Sequence, residues 1–329
     1  MSGNLILIGA DPADLYRAGL ARRERGYKAG VPQLRAQGLL RDAKTGQKVY
    51  NVPVPTISVG KVVRYKDGDR PGSRVVQGYA MGGTCQKRAI EALRVSEDDR
   101  LAAQGANLDM DRVMDNLESH GNSERLLEDK EAAAAIEAGE TSAQASFDST
   151  AAAAKTFFHT THLIDPAKPN VAANQYSNRL NLAMTTGNIF VGIQTMMKWK
   201  AENGADPIYQ GFRPRFKLMV PPDLAGEALK SLREMVGEGG AALENVNQYY
   251  ITKEDLFINQ YLTDATAWYL GVVNAGVELV TRVVYRDRMR WDKGPDSALY
   301  ENTKQIEFLS DEYTDYRLTD HRAWLKSKP

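Results

Sequence analysis

The sequence has almost no cysteine: among 329 residues, Cys85 stands alone. A lone thiol cannot close an internal disulfide or build a cysteine metal cage, so the chain fits a reducing compartment. Net charge is missing as well. The 42 Lys and Arg balance 42 Asp and Glu, and no global field points toward nucleic acid or a membrane. No apolar run approaches the roughly 20 residues of a membrane span. The opening MSGNLILIGADPADLYR has too short an apolar run for a secretory signal, and no basic stretch precedes it. A soluble protein with no membrane partner is expected. Also absent are a Gly-rich phosphate loop, a G-x-S-x-G elbow and the glutamate of a helical zinc-protease motif.

The stretch KLMVPPDLAGEALKSL, residues 217–232, is the kind of strand-to-helix junction that often holds a phosphate. Pro221 and Pro222 remove two N–H donors there, and Asp223 adds an acceptor of the wrong charge. The turn is read as structural. Leu229 and Leu232 of the following helix are expected to face a core.

Other candidates for chemistry are equally thin. His159 and His162, in FFHTTHLIDP, lie at i, i+3 and could bind zinc, but no further ligand follows at usable spacing; loop hydrogen bonding is their expected role. Cys85, in GGTCQKR, has basic neighbours without a placed base and reads as a small strand residue. Glu97, Asp98 and Asp99, like Asp109 and Asp111, read as helix starts, where the dipole favours anions. Trp268, Tyr269, Trp291 and Trp324 are expected in the core. No catalytic, cofactor or metal residue is assigned, and an enzyme is not expected.

What the chain does have is segregated charge. Residues 1–95 hold 17 Lys and Arg against 7 Asp and Glu, whereas residues 96–150 hold 4 against 14. Either this is surface composition, or the two segments meet within a subunit or between neighbours. Residues 1–50 have no packed face of their own, although Asp11 and Pro12 can start a short helix carrying Leu15, Ala18 and Leu20. TISVGKVVRYK and SRVVQGYAM form a hairpin around DGDRPG, and a lone hairpin must rest on something. Its Lys61, Arg64, Lys66, Arg70 and Arg74 are candidate inter-subunit contacts, with the acidic long helix, mostly of a neighbour, as their expected partner. That helix spans about 108–139, with Met110, Val113, Met114 and Leu117 in register and a break or kink at Gly121-Asn122. A loop over 140–178, a helix at about 185–202 and a run of short strands follow. Helices followed by strands indicate α+β.

The series FFHTTHLIDPAKPN…NQYSN, VGIQTMMKWK, GFRPRF, LMVPPDLAGEALKSL, DATAWYL and DYRLTDHRAWLKSKP resembles the Mu-like major head subunit family of tailed phages. The similarity covers about residues 50–329, although Leu163 follows His162 where that family usually has proline. The resemblance implies the HK97-type capsid fold and a major capsid protein that self-assembles as hexamers and pentamers into an icosahedral shell around double-stranded DNA, contacted non-specifically. Scaffold, portal and decoration proteins would be further partners. It also implies an N-terminal arm (1–50), an E-loop hairpin (51–90), a peripheral domain with the spine helix (91–179), an axial domain (180–275) and C-terminal strands (276–329) returning to the peripheral domain. An encapsulin-like shell with protein cargo and a loop-histidine metal hydrolase are the alternatives.

Overall fold

The computed structural model describes residues 11–54, 79–96, 110–141, 155–164, 175–200, 207–209, 214–236, 251, 253–274 and 277–329. Helix α1 (Pro12–Ala29) starts as its sequence dictates. Asp11 is the N-cap, its carboxylate accepting from Ala13 N at 3.4 Å, and Pro12 occupies the first turn. A four-residue helix α2 (Gln33–Ala36) and strand β1 (Leu40–Lys44) follow. Strands β2 (Val49–Val54) and β3 (Tyr79–Thr84) pair antiparallel and leave residues 55–78 between them. Lys61, Arg64, Lys66, Arg70 and Arg74 therefore lie outside the described residues. After β4 (Gln86–Ala89) and β5 (Leu93–Ser96) comes α3 (Met110–Ala138).

Of the break or kink expected at Gly121-Asn122, the break is not there, because α3 runs through it without interruption. A glycine costs an exposed helix about 1 kcal/mol relative to alanine. Here α1 covers Gly121 and uses the missing side chain, as described below.

Beyond α3 come β6 (His162–Leu163), β7 (Gln175–Tyr176), β8 (Arg179–Leu180) and α4 (Thr186–Met197). Helix α4 is capped by Thr185, which accepts from Asn188 N at 3.2 Å. Strand β9 (Phe216–Val220) is buried along its whole length. The Pro-Pro junction then makes a single 3-10 turn, Pro222–Leu224, with no side-chain cap, and continues into α5 (Ala225–Val236). The remaining elements are β10 (Leu256–Ile258), β11 (Trp268–Val272), β12 (Val280–Arg290), α6 (Ala298–Thr303), β13 (Gln305–Phe308), β14 (Ser310–Leu318) and β15 (Trp324–Ser327). Among the described residues, no helix is long and apolar enough to cross a membrane.

Two sheets organise these elements. One has the order β1-β12-β14-β4, with β1 parallel to β12 and the other pairs antiparallel. The other has the order β10-β9-β11-β15-β8. The expectation that residues 276–329 return together to one domain is corrected by β15, which lies between β11 and β8 in the five-stranded sheet. The physical reason is a shape match. Gly271 of β11 faces Trp324 of β15, and a Cβ on Gly271 would lie 2.4 Å from the indole, so the ring lies flat across the glycine.

One continuous core joins both sheets. It includes Leu34, Leu39 and Leu40 from the N-terminal segment, Ala132, Ala133 and Ile136 from α3, and Phe216, Trp268, Tyr269 and Trp324 from the five-stranded sheet. Trp291 alone among the tryptophans departs from the expected core role and is 50 % exposed. On α5, Ala228, Ser231 and Leu232 are buried, whereas Leu229 is half-buried. Leu232→Asp should therefore abolish soluble expression, since an unpaired buried carboxylate costs several kcal/mol. Leu229→Asp should retain a measurable soluble fraction; expression levels of the two variants distinguish these faces.

Candidate functional site: the helix seam and the junction of the sheets

Helix α1 buries Leu15, Gly19, Arg23 and Gly26, a stripe of one leucine, two glycines and an arginine. The Leu15, Ala18, Leu20 stripe expected from the sequence is only partly used, with Ala18 and Leu20 half-buried at its margin. A Cβ on Gly26 would lie 1.8 Å from Glu118 O of α3, and one on Gly121 would lie 2.0 Å from Arg23 O of α1. The two glycines face each other's helix, so the backbones cross in near contact.

That approach sets the ion pairs. The Arg23 side chain is 1 % exposed, its Nε donating to Glu124 Oε1 at 2.9 Å and its Nη1 to Asp292 on the segment after β12. Arg288 of β12 reaches Glu24 at 2.9 Å and Glu124 at 2.6 Å, and its guanidinium sits 3.9 Å from the Tyr27 ring centroid. Arg22 meets Glu118 at 3.0 Å, Arg35 meets Glu128 at 2.7 Å, and Arg88 of β4 meets Glu131 at 2.7 Å. Asp129 Oδ1 accepts from Leu34 N at 3.0 Å and its other oxygen from Gln33 N, so α3 supplies the N-terminal cap that Pro32 cannot give α2. Removing one partner of the buried Arg23–Glu124 pair costs about 3–5 kcal/mol, because the other charge is stranded. Among the described residues the segregated charge thus meets within one subunit, and the expectation that the arm lies mostly on a neighbour's helix is corrected for residues 12–44.

A second cluster joins the C-terminal end of α3 to the five-stranded sheet. Glu137 accepts from Asp264 N and Thr263 Oγ1, each at 2.9 Å. Glu140 takes Arg179 at 2.6 Å and the ammonium of Lys326, which is 2 % exposed. Burial pushes the Glu140 carboxyl up, but the hydrogen bond and charge of Lys326, with Arg179, outweigh it and hold it below the usual range. Burial likewise raises Asp264, and its bonds to Lys328 and Thr266 bring it below.

The sequence candidates fall elsewhere. His162 is buried, its Nε2 2.9 Å from Phe157 O, and its ring stacks on His321 at 3.9 Å with 7° between planes. His159 Nδ1 accepts from Thr161 N at 3.1 Å. Tyr176 hydrogen-bonds His321, and Asn178 ties His159 N, Phe157 O and His321 O together. The loop is thereby tied to the strand-proximal C-terminal segment. Among the described residues, no three His, Cys, Asp or Glu side chains converge on a common metal position. Cys85 is buried with its Sγ 3.6 Å from Val283 O, and burial pushes its thiol up, away from the reactive thiolate. What the described residues assemble are contact surfaces that lock helices and sheets together.

A family model described as phage capsid protein matches residues 92–327. The chain belongs to the phage capsid protein family. No curated protein matches it. Among solved structures, this capsid protein is similar to the bacteriophage PhiM1 mature capsid subunit, with a TM-score of 0.51 at 12% identity, covering 91% of this chain and 87% of that one. It is also similar to the capsid of cyanophage P-SCSP1u (TM-score 0.49, 10% identity, 89% and 86% covered). A virus-like particle from Pyrococcus furiosus aligns too (TM-score 0.47, 13% identity, 96% and 98% covered). The fold is the α+β HK97-type capsid fold.

Sequence reasoning missed Arg288, Asp292, Glu140 and Lys326, because their partners lie far away in the chain. Gly19 and Gly26, seven residues apart on one helix face, were a readable sign of close helix contact.

Two outcomes follow from the geometry. Gly121→Ala should lower stability by about 1–3 kcal/mol through overpacking against Arg23 O, whereas Gly226→Ala, with open space around it, should be neutral or stabilising; urea denaturation measures both. Glu140 and Asp264 have lowered folded-state pKa values, so their contribution is present above the unfolded carboxylate range of about 4 and is lost as pH falls through the folded values. Glu140→Gln should be less stable at neutral pH and show a shallower loss of stability on acidification, read from denaturation midpoints across that range.

Proposed function

We propose that this capsid protein is the major capsid protein of a tailed bacteriophage or phage-derived particle, and that its copies close an icosahedral shell around double-stranded DNA. The family match across residues 92–327 carries the reading, because it spans α3, the whole five-stranded sheet and strands β12 and β14 of the four-stranded one. In this reading the subunits group as hexamers and pentamers. Scaffold, portal and decoration proteins are the further partners, assembly takes place in the host cytoplasm, and the narrower kinship is with the Mu-like head subunits.

The anatomy follows. Residues 1–50 act as the N-terminal arm and residues 51–90 as the E-loop hairpin. Helix α3 with the four-stranded sheet forms the peripheral domain (91–179 and the β12–β14 part of 276–329). Residues 180–275 form the axial domain, which β15 completes. The arm is held by its own subunit through Gly26, Gly121 and Arg23, and the hairpin is the element that reaches a neighbour in this reading. The four acids of α3 that its own subunit engages (Glu118, Glu124, Glu128 and Glu131) leave the hairpin cations to seek other carboxylates on that neighbour.

Electron microscopy of the purified protein tests the reading directly. Closed shells are expected; uniformly small particles under all assembly conditions overturn it. Simultaneous charge reversal at Arg64, Lys66 and Arg70 should block shell formation while circular dichroism stays that of the folded subunit. Raised salt should weaken wild-type assembly as the Debye length shrinks from about 10 Å to about 3 Å.

A further inference from the structure

The seam cations Arg22, Arg23, Arg35, Arg88 and Arg288 all end on carboxylates. Two cations on the hairpin side of the four-stranded sheet do not. Lys48 Nζ lies 5.7 Å from the Tyr313 ring centroid, and the Arg286 guanidinium lies 5.9 Å from the same ring and 5.2 Å from that of Tyr285. Tyr285 and Tyr313 form an edge-to-face pair at 6.2 Å, packed on the Tyr50, Val52, Met81, Cys85 and Val283 cluster that fixes them. Lys48 and Arg286 are exposed, and neither has a carboxylate within ion-pair distance among the described residues. Of the described carboxylates on β12 and β14, Asp311 is engaged by Lys87 at 2.8 Å, Asp315 by Tyr50 and Arg317, and Asp287 by Arg282 at 3.5 Å. Neither tyrosine hydroxyl has a protein partner among the described residues.

The surface therefore offers two cations and two phenol donors, with the cations held in place by the rings beneath them. Such a set suits a polyanion whose charges come with several acceptor oxygens each. Cations release condensed counterions from a phosphate backbone, and tyrosine hydroxyls donate to phosphate oxygens. On a second copy of the chain, Glu118, Glu124, Glu128 and Glu131 of α3 are already engaged within their own subunit.

We propose that Lys48, Arg286, Tyr285 and Tyr313 form a phosphodiester-binding platform through which the shell wall holds the backbone of packaged double-stranded DNA. The inference rests on the capsid reading for the source of the DNA, and on the platform's own geometry for the contact. Binding is independent of base sequence, because every group addresses the backbone.

The test uses the full-length protein and a short random-sequence duplex, with binding followed by fluorescence anisotropy between about 50 and 200 mM salt. Lys48→Ala/Arg286→Ala should reduce the slope of log K against log salt by about 2, near one unit per cation removed. Tyr313→Phe should weaken binding several-fold and leave the slope unchanged. Lys230→Ala/Lys253→Ala, two exposed lysines elsewhere, should change neither.

An unchanged slope in the platform variant, an equal slope loss in the control, or no duplex binding by the wild type overturns the platform. So does a platform variant that binds duplex normally but no longer forms shells, which would make this face a subunit contact. Electron microscopy of the wild type keeps the two readings apart. Shells with an unchanged slope overturn the platform alone, and a reduced slope without shells overturns the capsid reading alone.

Discussion

Gly26 and Gly121 set how closely α1 crosses α3, and the rest of the N-terminal half follows from that distance. Any side chain at either position would overlap the partner backbone by more than 1 Å relative to ordinary contact. With the backbones so close, Arg23 is excluded from water and can be tolerated only as a paired guanidinium, so Glu124 and Asp292 must converge on it. Asp292 lies just beyond β12, so the helix seam also holds the four-stranded sheet in place. Two residues without side chains thus fix three elements that are remote in sequence.

The opposite end of α3 is built by different means. Carboxylates at a helix C-terminus oppose the helix dipole, and an isolated α3 would be weakened by Glu137 and Glu140. In the folded subunit they accept backbone N–H groups from the 263–264 turn and cations from β8 and β15. The long helix is therefore clamped at one end by close backbone contact and at the other by charge. Lys217 adds a third tie: it is buried in β9 and reaches Gln37 O at 3.3 Å across the boundary between the sheets, with burial lowering its ammonium pKa. These ties make the two sheets one body with a shared core.

The charge asymmetry is where the folded structure reorganises the meaning of the sequence most. A balance of opposite signs in adjacent segments is compatible with contact inside a subunit or between subunits. The first of these holds for the arm, through short pairs between residues 22–88 and α3, of which Arg23 with Glu124 is buried on both sides and the others are half-buried. Exposed pairs such as Arg25 with Glu118 at 3.8 Å add little. The cations left without carboxylates then become informative, because a folded chain that has paired so many of its charges leaves Lys48 and Arg286 on tyrosine rings at the surface.

Local signals determined much on their own. Asp11 and Pro12 start α1, the heptad-like Met114 and Leu117 register marks α3, the Pro-Pro turn precedes α5, and the short apolar runs give the strands. The ordered series of motifs was enough to indicate a phage capsid family, and the family model matches residues 92–327. The tertiary structure alone decided that Gly121 is a contact and not a break, that β15 leaves its sequence neighbours to cover Gly271, and that His162 stacks on His321. Helix and strand starts depend on side chains a few residues apart and can be read directly. Close backbone approach, buried ion pairs and strand order depend on groups up to about 270 residues apart along the chain, and only the packed core brings them together.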